Sequence, residues 1–187
     1  MQRSWPFWLI AAVLLWWGVN HFITLFNAEA KRPVQAGAVM NGCRVLNVHD
    51  GDTLRVRCGL GSDRRSTHKV RLYCIDAPEL AQAPWGRIAR EYLRRLAGQG
   101  SVQIRVKDRD EYRRTVAEVW KGTMNLNLAM VKAGKVAVYR RYCKVGAYRQ
   151  AEVMARSHRI GIWAKPGSHQ RPWEWRHCHI PTLRLGC

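Results

Sequence analysis

The sequence predicts an α+β fold: a small sheet of five short strands closed on itself, with about three helices packed on it and an apolar helix at the N-terminus. Three observations predict it. Short segments that alternate apolar and polar residues recur along the chain. Helical periodicity appears in separate stretches between them. Residues Trp5 to Val19 form an apolar run without charge.

Asn20 and His21 interrupt that run and Phe22 to Phe26 resume it. Trp5 to Phe26 therefore just reaches the roughly 20 apolar residues that a spanning helix needs. Tryptophans at 5, 8, 16 and 17 fall partly where an interfacial belt sits. The rival reading is a signal peptide, with Arg3 before the run and Ala28-Glu29-Ala30 as a small-x-small cleavage site. Lys31 and Arg32 after the segment oppose an exported domain, whereas the abundance of cysteine favours one. We expect residues 1–27 to be a transmembrane anchor or a cleaved signal peptide. The rest then faces the periplasm or exterior, or is secreted. Residues 28–41, small and polar with Pro33, read as a linker.

A first strand is expected over 43–49, with Val45 and Val48, and it ends at the turn dipeptide Asp50-Gly51. Thr53 to Cys58 alternates as a half-buried strand should. Gly59 to Thr67 is a loop rich in Gly, Ser and Arg. His68 to Ile75 resumes β character and stops at Asp76-Ala77-Pro78-Glu79, because proline cannot donate to a ladder. Ile88, Ala89, Tyr92, Leu93 and Leu96 mark one face of a helix over 85–97, closed by Gly98 and Gly100. Val102, Ile104 and Val106 alternate in the next strand, and Thr115 to Trp120 forms another. A short helix over 125–133 ends at Gly134, Lys135 to Tyr139 is extended, and 146–159 is a last helix with Glu152 and Arg156 four apart. The tail, 166–187, holds tryptophan and cysteine without a clear period. Five short strands with interspersed helices suit an OB-type barrel.

Six cysteines, at 43, 58, 74, 143, 178 and 187, are many for a reduced compartment. Cys43 and Cys58 each lie seven residues from Asp50-Gly51, on opposite sides. With a two-residue loop they face each other across an antiparallel pair, where Cα atoms are roughly 4.5–5.5 Å apart and a disulfide can form. The alternative is a pair of buried thiols, and the other four cysteines cannot be paired from sequence. His177, Cys178, His179 and Cys187 lack an established zinc spacing.

The 32 Lys and Arg against 13 Asp and Glu give a net charge of +19. Residues 1–30 contribute one Arg and one Glu, so the excess lies in the remainder. So basic a domain repels itself, and a polyanionic partner is the natural explanation, nucleic acid ahead of anionic lipid.

Acidic clusters stand where strands end, the places that carry functional loops. They are Asp50-Gly51-Asp52-Thr53 and Asp76-Ala77-Pro78-Glu79. Carboxylates from separate loops can meet around a hard cation such as calcium. An EF-hand is excluded because Leu54 takes the fifth position. Arg71 lies in the strand that leads to Asp76, and Arg113 and Arg114 follow Asp110-Glu111-Tyr112. Guanidinium forks stabilise the negative charge that builds up when a phosphodiester is attacked.

Taken in order, Val48-His49-Asp50-Gly51-Asp52-Thr53, Val70 to Glu79 and Asp110 to Arg114 resemble the staphylococcal nuclease-like (thermonuclease) domains. Ala133 to Tyr139, Ala151-Glu152 with Ala155-Arg156, and Gly161-Ile162-Trp163 extend the resemblance, which covers residues 42–165. It implies an OB-fold barrel and calcium-assisted hydrolysis of DNA and RNA. By position, Asp52 and Asp76 would be calcium carboxylates and Ala77 would offer its backbone carbonyl. Glu79 would be the general base, and Arg71 and Arg114 would clamp the phosphate. Tyr112, Arg113, Tyr139 and Tyr142 would line the nucleotide pocket of a protein acting as a monomer. Where the family shows Tyr-Gly-Arg this chain has Tyr112-Arg113-Arg114, which gives up glycine's backbone freedom before Arg114. A nucleic-acid-binding module that kept the fold and lost catalysis is the alternative, and it would predict missing acids. An envelope protein gripping anionic polymers would leave the acids and arginines unexplained.

Overall fold

The computed structural model describes residues 34–59, 66–165, 167 and 170–179. The chain divides into two compact units, Met1–Val34 and Gln35–Cys187. The expected anchor or signal segment lies outside the described residues. Among those described, no helix is long and apolar enough to cross a membrane.

In chain order the elements are β1 (Val39–Val48), β2 (Thr53–Cys58), β3 (Ser66–Leu72), β4 (Ile75–Asp76) and α1 (Trp85–Ala97). Then come β5 (Ser101–Arg109), β6 (Thr115–Lys121), β7 (Met124–Asn125), α2 (Leu126–Lys132) and β8 (Ala137–Val138). The chain continues through α3 (Gly146–Ser157), a 3-10 turn over Gly161–Trp163 and α4 (Pro172–His179). Five strands run in the order β3-β2-β1-β5-β6 with antiparallel neighbours. A parallel β3–β6 pairing, Val70 opposite Thr115, closes them into a barrel. Closure removes the free sheet edges, and the interior is filled by the inward half of each alternating strand. Leu54, Val56, Val70, Ile104, Ala117 and Val119 are fully buried there, while Arg55 and Arg57 point outward from the same β2.

The hairpin differs from its expectation in an instructive way. His49 N–H donates to the Thr53 carbonyl at 2.9 Å, so Asp50-Gly51-Asp52 forms a three-residue loop where two residues were expected. A three-residue loop alone would slip the register by one. An irregularity between Val45 and Asn47 restores it, so that Arg44 faces Arg57 and the neighbouring Cys43 and Cys58 are disulfide-bonded, Cα to Cα 4.2 Å. β1 also begins at Val39, inside the stretch expected to be a linker. The strand expected from His68 to Ile75 breaks at Tyr73-Cys74, where Cys74 has φ of 70°. In the tail the structure adds a fourth helix, α4, which no apolar period announced.

Buried polar groups tie the helices to the barrel. Asn127 in α2 has no exposed surface. Its Oδ1 accepts from Val119 N–H at 3.0 Å, and its Nδ2 donates to the Tyr73 and Ala117 carbonyls, both at 3.0 Å. The Ala117 carbonyl also accepts from Tyr73 N–H at 2.8 Å, but leaving Val119 N–H and the Tyr73 carbonyl without Asn127 in the core is expensive. Asn127→Ala should lower stability by about 3 kcal/mol, read as a reduced urea midpoint with an unchanged slope. Glu152, four residues before Arg156 in α3, is 1% exposed. It accepts from Val138 N–H at 2.8 Å while Arg140 and Arg156 sit 3.2 and 3.4 Å away.

Candidate active site

The Asp50–Asp52 loop is packed beneath α1 because Gly51 has no side chain: a Cβ there would lie 2.7 Å from the Ala89 Cβ and 2.8 Å from the Ala77 Cβ. Asp52 N–H donates to Asp50 Oδ1 at 2.9 Å, which fixes the loop locally. The Asp52 carbonyl accepts from Leu72 N–H at 2.8 Å, which joins the loop to the end of β3. Asp52 is nearly buried, and its carboxylate is fully engaged. Oδ1 accepts from the Thr53 hydroxyl at 3.0 Å, and Oδ2 accepts from Ala77 N–H at 2.8 Å and lies 3.2 Å from Arg71 Nη2.

Arg71 bridges the two aspartates. Its Nη2 is also 4.0 Å from Asp76 Oδ1, and its Nη1 donates to the Leu72 carbonyl at 3.0 Å. Asp76 ends β4, which pairs with β8 through Asp76 opposite Ala137. Burial pushes the Asp76 carboxyl above its usual range, and the charge of Asp52 adds to this. Bonding to Arg176 and the charge of Arg71 oppose the rise. Asp50 is pushed up to about 6 by burial and then by the charge of Asp52. Carboxylates crowded and desolvated in this way favour an added positive charge.

Glu79 sits on the loop after β4. Its N–H donates to Gln82 Oε1 at 3.1 Å, and its carbonyl accepts from Gln82 N–H at 2.8 Å. Gly86 in the first turn of α1 lets that loop press in, since a Cβ there would lie 1.9 Å from the Glu79 carbonyl oxygen. The Glu79 side chain remains 45% exposed, so its carboxylate is reachable from solvent.

Arg176, which the sequence did not single out, completes the group. From α4 it donates through Nη2 to Asp76 Oδ2 at 2.7 Å and through Nη1 to Glu79 Oε1 at 2.9 Å. The partners are 100 and 97 residues away in sequence, a separation that no local pattern signals.

Arg114 is placed differently. β6 starts one residue later and pairs with β3, so Arg114 stands beside the strand that carries Arg71. Its side chain is turned to Asp110, with Nε 2.6 Å from Oδ2 and its N–H 2.8 Å from Oδ1. The described contacts of Arg114 include none to Asp52, Asp76 or Glu79. Arg113 takes φ of 59°, so the chain adopts at this position the left-handed backbone that glycine supplies without strain. The Arg114 guanidinium carbon lies 5.4 Å from the ring centre of Tyr112, which is 71% exposed.

Tyr139 and Tyr142, both exposed, meet edge to face with ring centres 5.1 Å apart. Tyr139 N–H donates to the Cys74 carbonyl at 2.9 Å, and a Cys74–Cys143 disulfide ties this loop to the turn before Asp76. That pairing was not readable from spacing. Cys178 is also disulfide-bonded, which removes it as a zinc thiolate.

Asp52 and Asp76 offer hard oxygen donors of the kind calcium takes. Among the described residues no three His, Cys, Asp or Glu side chains gather as a metal cage. An ion held here would draw its remaining ligands from backbone carbonyls, such as that of Ala77, and from water.

Residues 69–165 match the family described as staphylococcal nuclease homologue. A protein of Haemophilus influenzae described as an uncharacterized endonuclease is 40% identical over 136 residues, covering 73% of this chain and 73% of that protein. The micrococcal nuclease of Shigella flexneri is 36% identical over 143 residues, covering 71% of this chain and 78% of that protein. An uncharacterized endonuclease of Escherichia coli O157:H7 is 34% identical over 135 residues, covering 72% and 84% respectively. Given that match across more than half its length, and a barrel that brings Asp52, Arg71 and Asp76 together, the chain belongs to the staphylococcal nuclease homologue family.

Proposed function

We propose that this protein is a calcium-dependent nuclease that hydrolyses phosphodiester bonds of DNA, RNA or both, and that it works outside the cytoplasm as a monomer. The observation that carries the reading is the meeting of Asp52, from the β1–β2 loop, with Asp76 and Glu79, from the end of β4 and the loop after it, around Arg71 and Arg176. In this reading Arg71 donates to a non-bridging phosphate oxygen, where charge builds as water attacks phosphorus. Glu79, reachable from solvent, takes the proton of that water. The P–O bond opposite the incoming oxygen breaks in line. Arg114 joins the phosphate clamp once it turns from Asp110, and Tyr112, Arg113, Tyr139 and Tyr142 border the nucleotide. Calcium, when bound, supplies Lewis-acid polarisation of the phosphoryl oxygen. The names of the relatives, endonuclease and micrococcal nuclease, support nucleic acid as substrate. Disulfides at Cys43–Cys58 and Cys74–Cys143 support an oxidising location. The anchor or signal reading of residues 1–27 is part of the same proposal, with the domain following the linker.

A second reading is favoured by the positions of Arg176 and Arg114. Arg176 occupies the Asp76 and Glu79 carboxylates, and Asp110 holds Arg114, as in a module that binds nucleic acid and cuts it weakly. One experiment separates the two: the full-length protein is incubated with single-stranded DNA in calcium and then in chelator. The nuclease reading expects cleavage in calcium that stops with the chelator. Salt-sensitive binding without cleavage in either buffer would establish the module.

A further inference from the structure

The outer face of β1, β2 and β3 carries a ladder of cations. Arg44 stands directly opposite Arg57 across β1 and β2, and Arg55 stands directly opposite Lys69 across β2 and β3. All four are exposed. Among the described residues none of the four has an acidic partner, although cations elsewhere on the barrel do, as Lys107 has Glu118 at 3.2 Å. Like charges directly opposite one another destabilise a sheet. Two consecutive rungs of that kind are a structural liability unless something outside the protein neutralises them.

The ladder leads to the site already described. Lys69 and Arg71 lie two apart in β3 and so share a face, and Arg71 is opposite Thr53 as Lys69 is opposite Arg55. The rungs therefore continue from the phosphate clamp outward, each step along a strand about 6.6 Å. His49, beside the Asp50–Asp52 loop, lies in the same field. Its imidazole is held below its usual range by burial first and then by the charges of Lys69, Arg55 and Arg90.

We propose that this face is the track for single-stranded nucleic acid, holding its phosphates on Arg44, Arg55, Arg57 and Lys69 while one diester lies at Arg71. The inference rests on the nuclease reading of that site and names where the rest of the polymer runs. A flat anionic membrane is the competing polyanion. Continuity with a site built to clamp one phosphodiester favours a flexible strand, which follows a ladder one phosphate at a time.

The test uses the full-length protein and a variant with Arg44, Arg55, Arg57 and Lys69 all changed to Gln. Binding of a labelled oligothymidylate is followed by anisotropy over a salt series. Hydrolysis of a p-nitrophenyl diester of thymidine, too short to reach the ladder, is followed in calcium. Single strands lose about 0.7 in the log–log salt slope for each phosphate contact removed, so the slope should fall by about 3. Oligonucleotide KM should rise while turnover of the small diester stays as in the unchanged protein. The melting temperature should hold or rise, because like-charge pairs are relieved. An unchanged salt slope and affinity in the folded variant would overturn the track. So would loss of binding to phosphatidylserine vesicles with oligonucleotide binding intact, which assigns the face to a membrane. If the unchanged protein hydrolyses neither substrate, the nuclease reading fails, and the salt slope still decides whether the ladder holds the strand.

Discussion

Glu79→Gln lowers turnover on single-stranded DNA by about 10²–10⁴-fold, the range that positioned general-base catalysis supplies. That corresponds to about 2.7–5.4 kcal/mol of lost transition-state stabilisation. The amide keeps the size of the side chain and can still accept from Arg176 Nη1, which lies 2.9 Å from Glu79 Oε1. The backbone of the loop is held independently by Gln82, so the geometry of the site survives the change. What is lost is an oxygen basic enough to take a proton from water. Oligonucleotide affinity in chelator should stay within about threefold, because no cationic group on the phosphate path is altered. Single-turnover cleavage alongside anisotropy measures both quantities. Unchanged cleavage would remove Glu79 from the chemistry.

Arg176→Ala should tighten calcium binding by about tenfold. Arg176 occupies Asp76 Oδ2 at 2.7 Å and Glu79 Oε1 at 2.9 Å, and Asp76 is one of the two carboxylates proposed to hold calcium. A divalent ion beside a guanidinium on the same carboxylates is repelled, so the ion and α4 compete. If the arginine is seated nine-tenths of the time, apparent affinity falls about tenfold. Only Pro172 among the eight residues of α4 is buried, and Trp173 meets Trp163 with ring centres 6.5 Å apart. Calorimetric titration with calcium checks the affinity directly. Proteolysis at α4 checks the competition, since added calcium should expose the helix in the unchanged protein. Weaker calcium binding in the variant would show instead that Arg176 organises the carboxylates for the ion.

These two predictions fall on opposite sides of what the sequence reveals. Glu79 sits in an acidic cluster after a strand, where proline ends the ladder, and both features are local. Arg176 is one of three arginines in a tail with no period, and its role depends on which surface α4 meets. The hairpin shows the same division at smaller scale. Alternation places β2 at Thr53–Cys58, yet the three-residue loop and the compensating irregularity near Leu46 are not written in a turn dipeptide. The Cys43–Cys58 pairing survives because those two departures cancel.

By itself the sequence determined the alternating strands, the α1 face, the acids at strand ends and the Arg71 that precedes Asp76. Each of these follows from side-chain period and backbone chemistry within a few residues. Only the tertiary structure decided the closure of β3 on β6, the Cys74–Cys143 bridge, the capture of Arg114 by Asp110 and the seating of Arg176 on Asp76 and Glu79. Local periodicity fixes which face of an element is apolar. Which distant charge or thiol arrives at that face is settled by how the whole chain packs, and in this protein that packing sets the charge around the carboxylates.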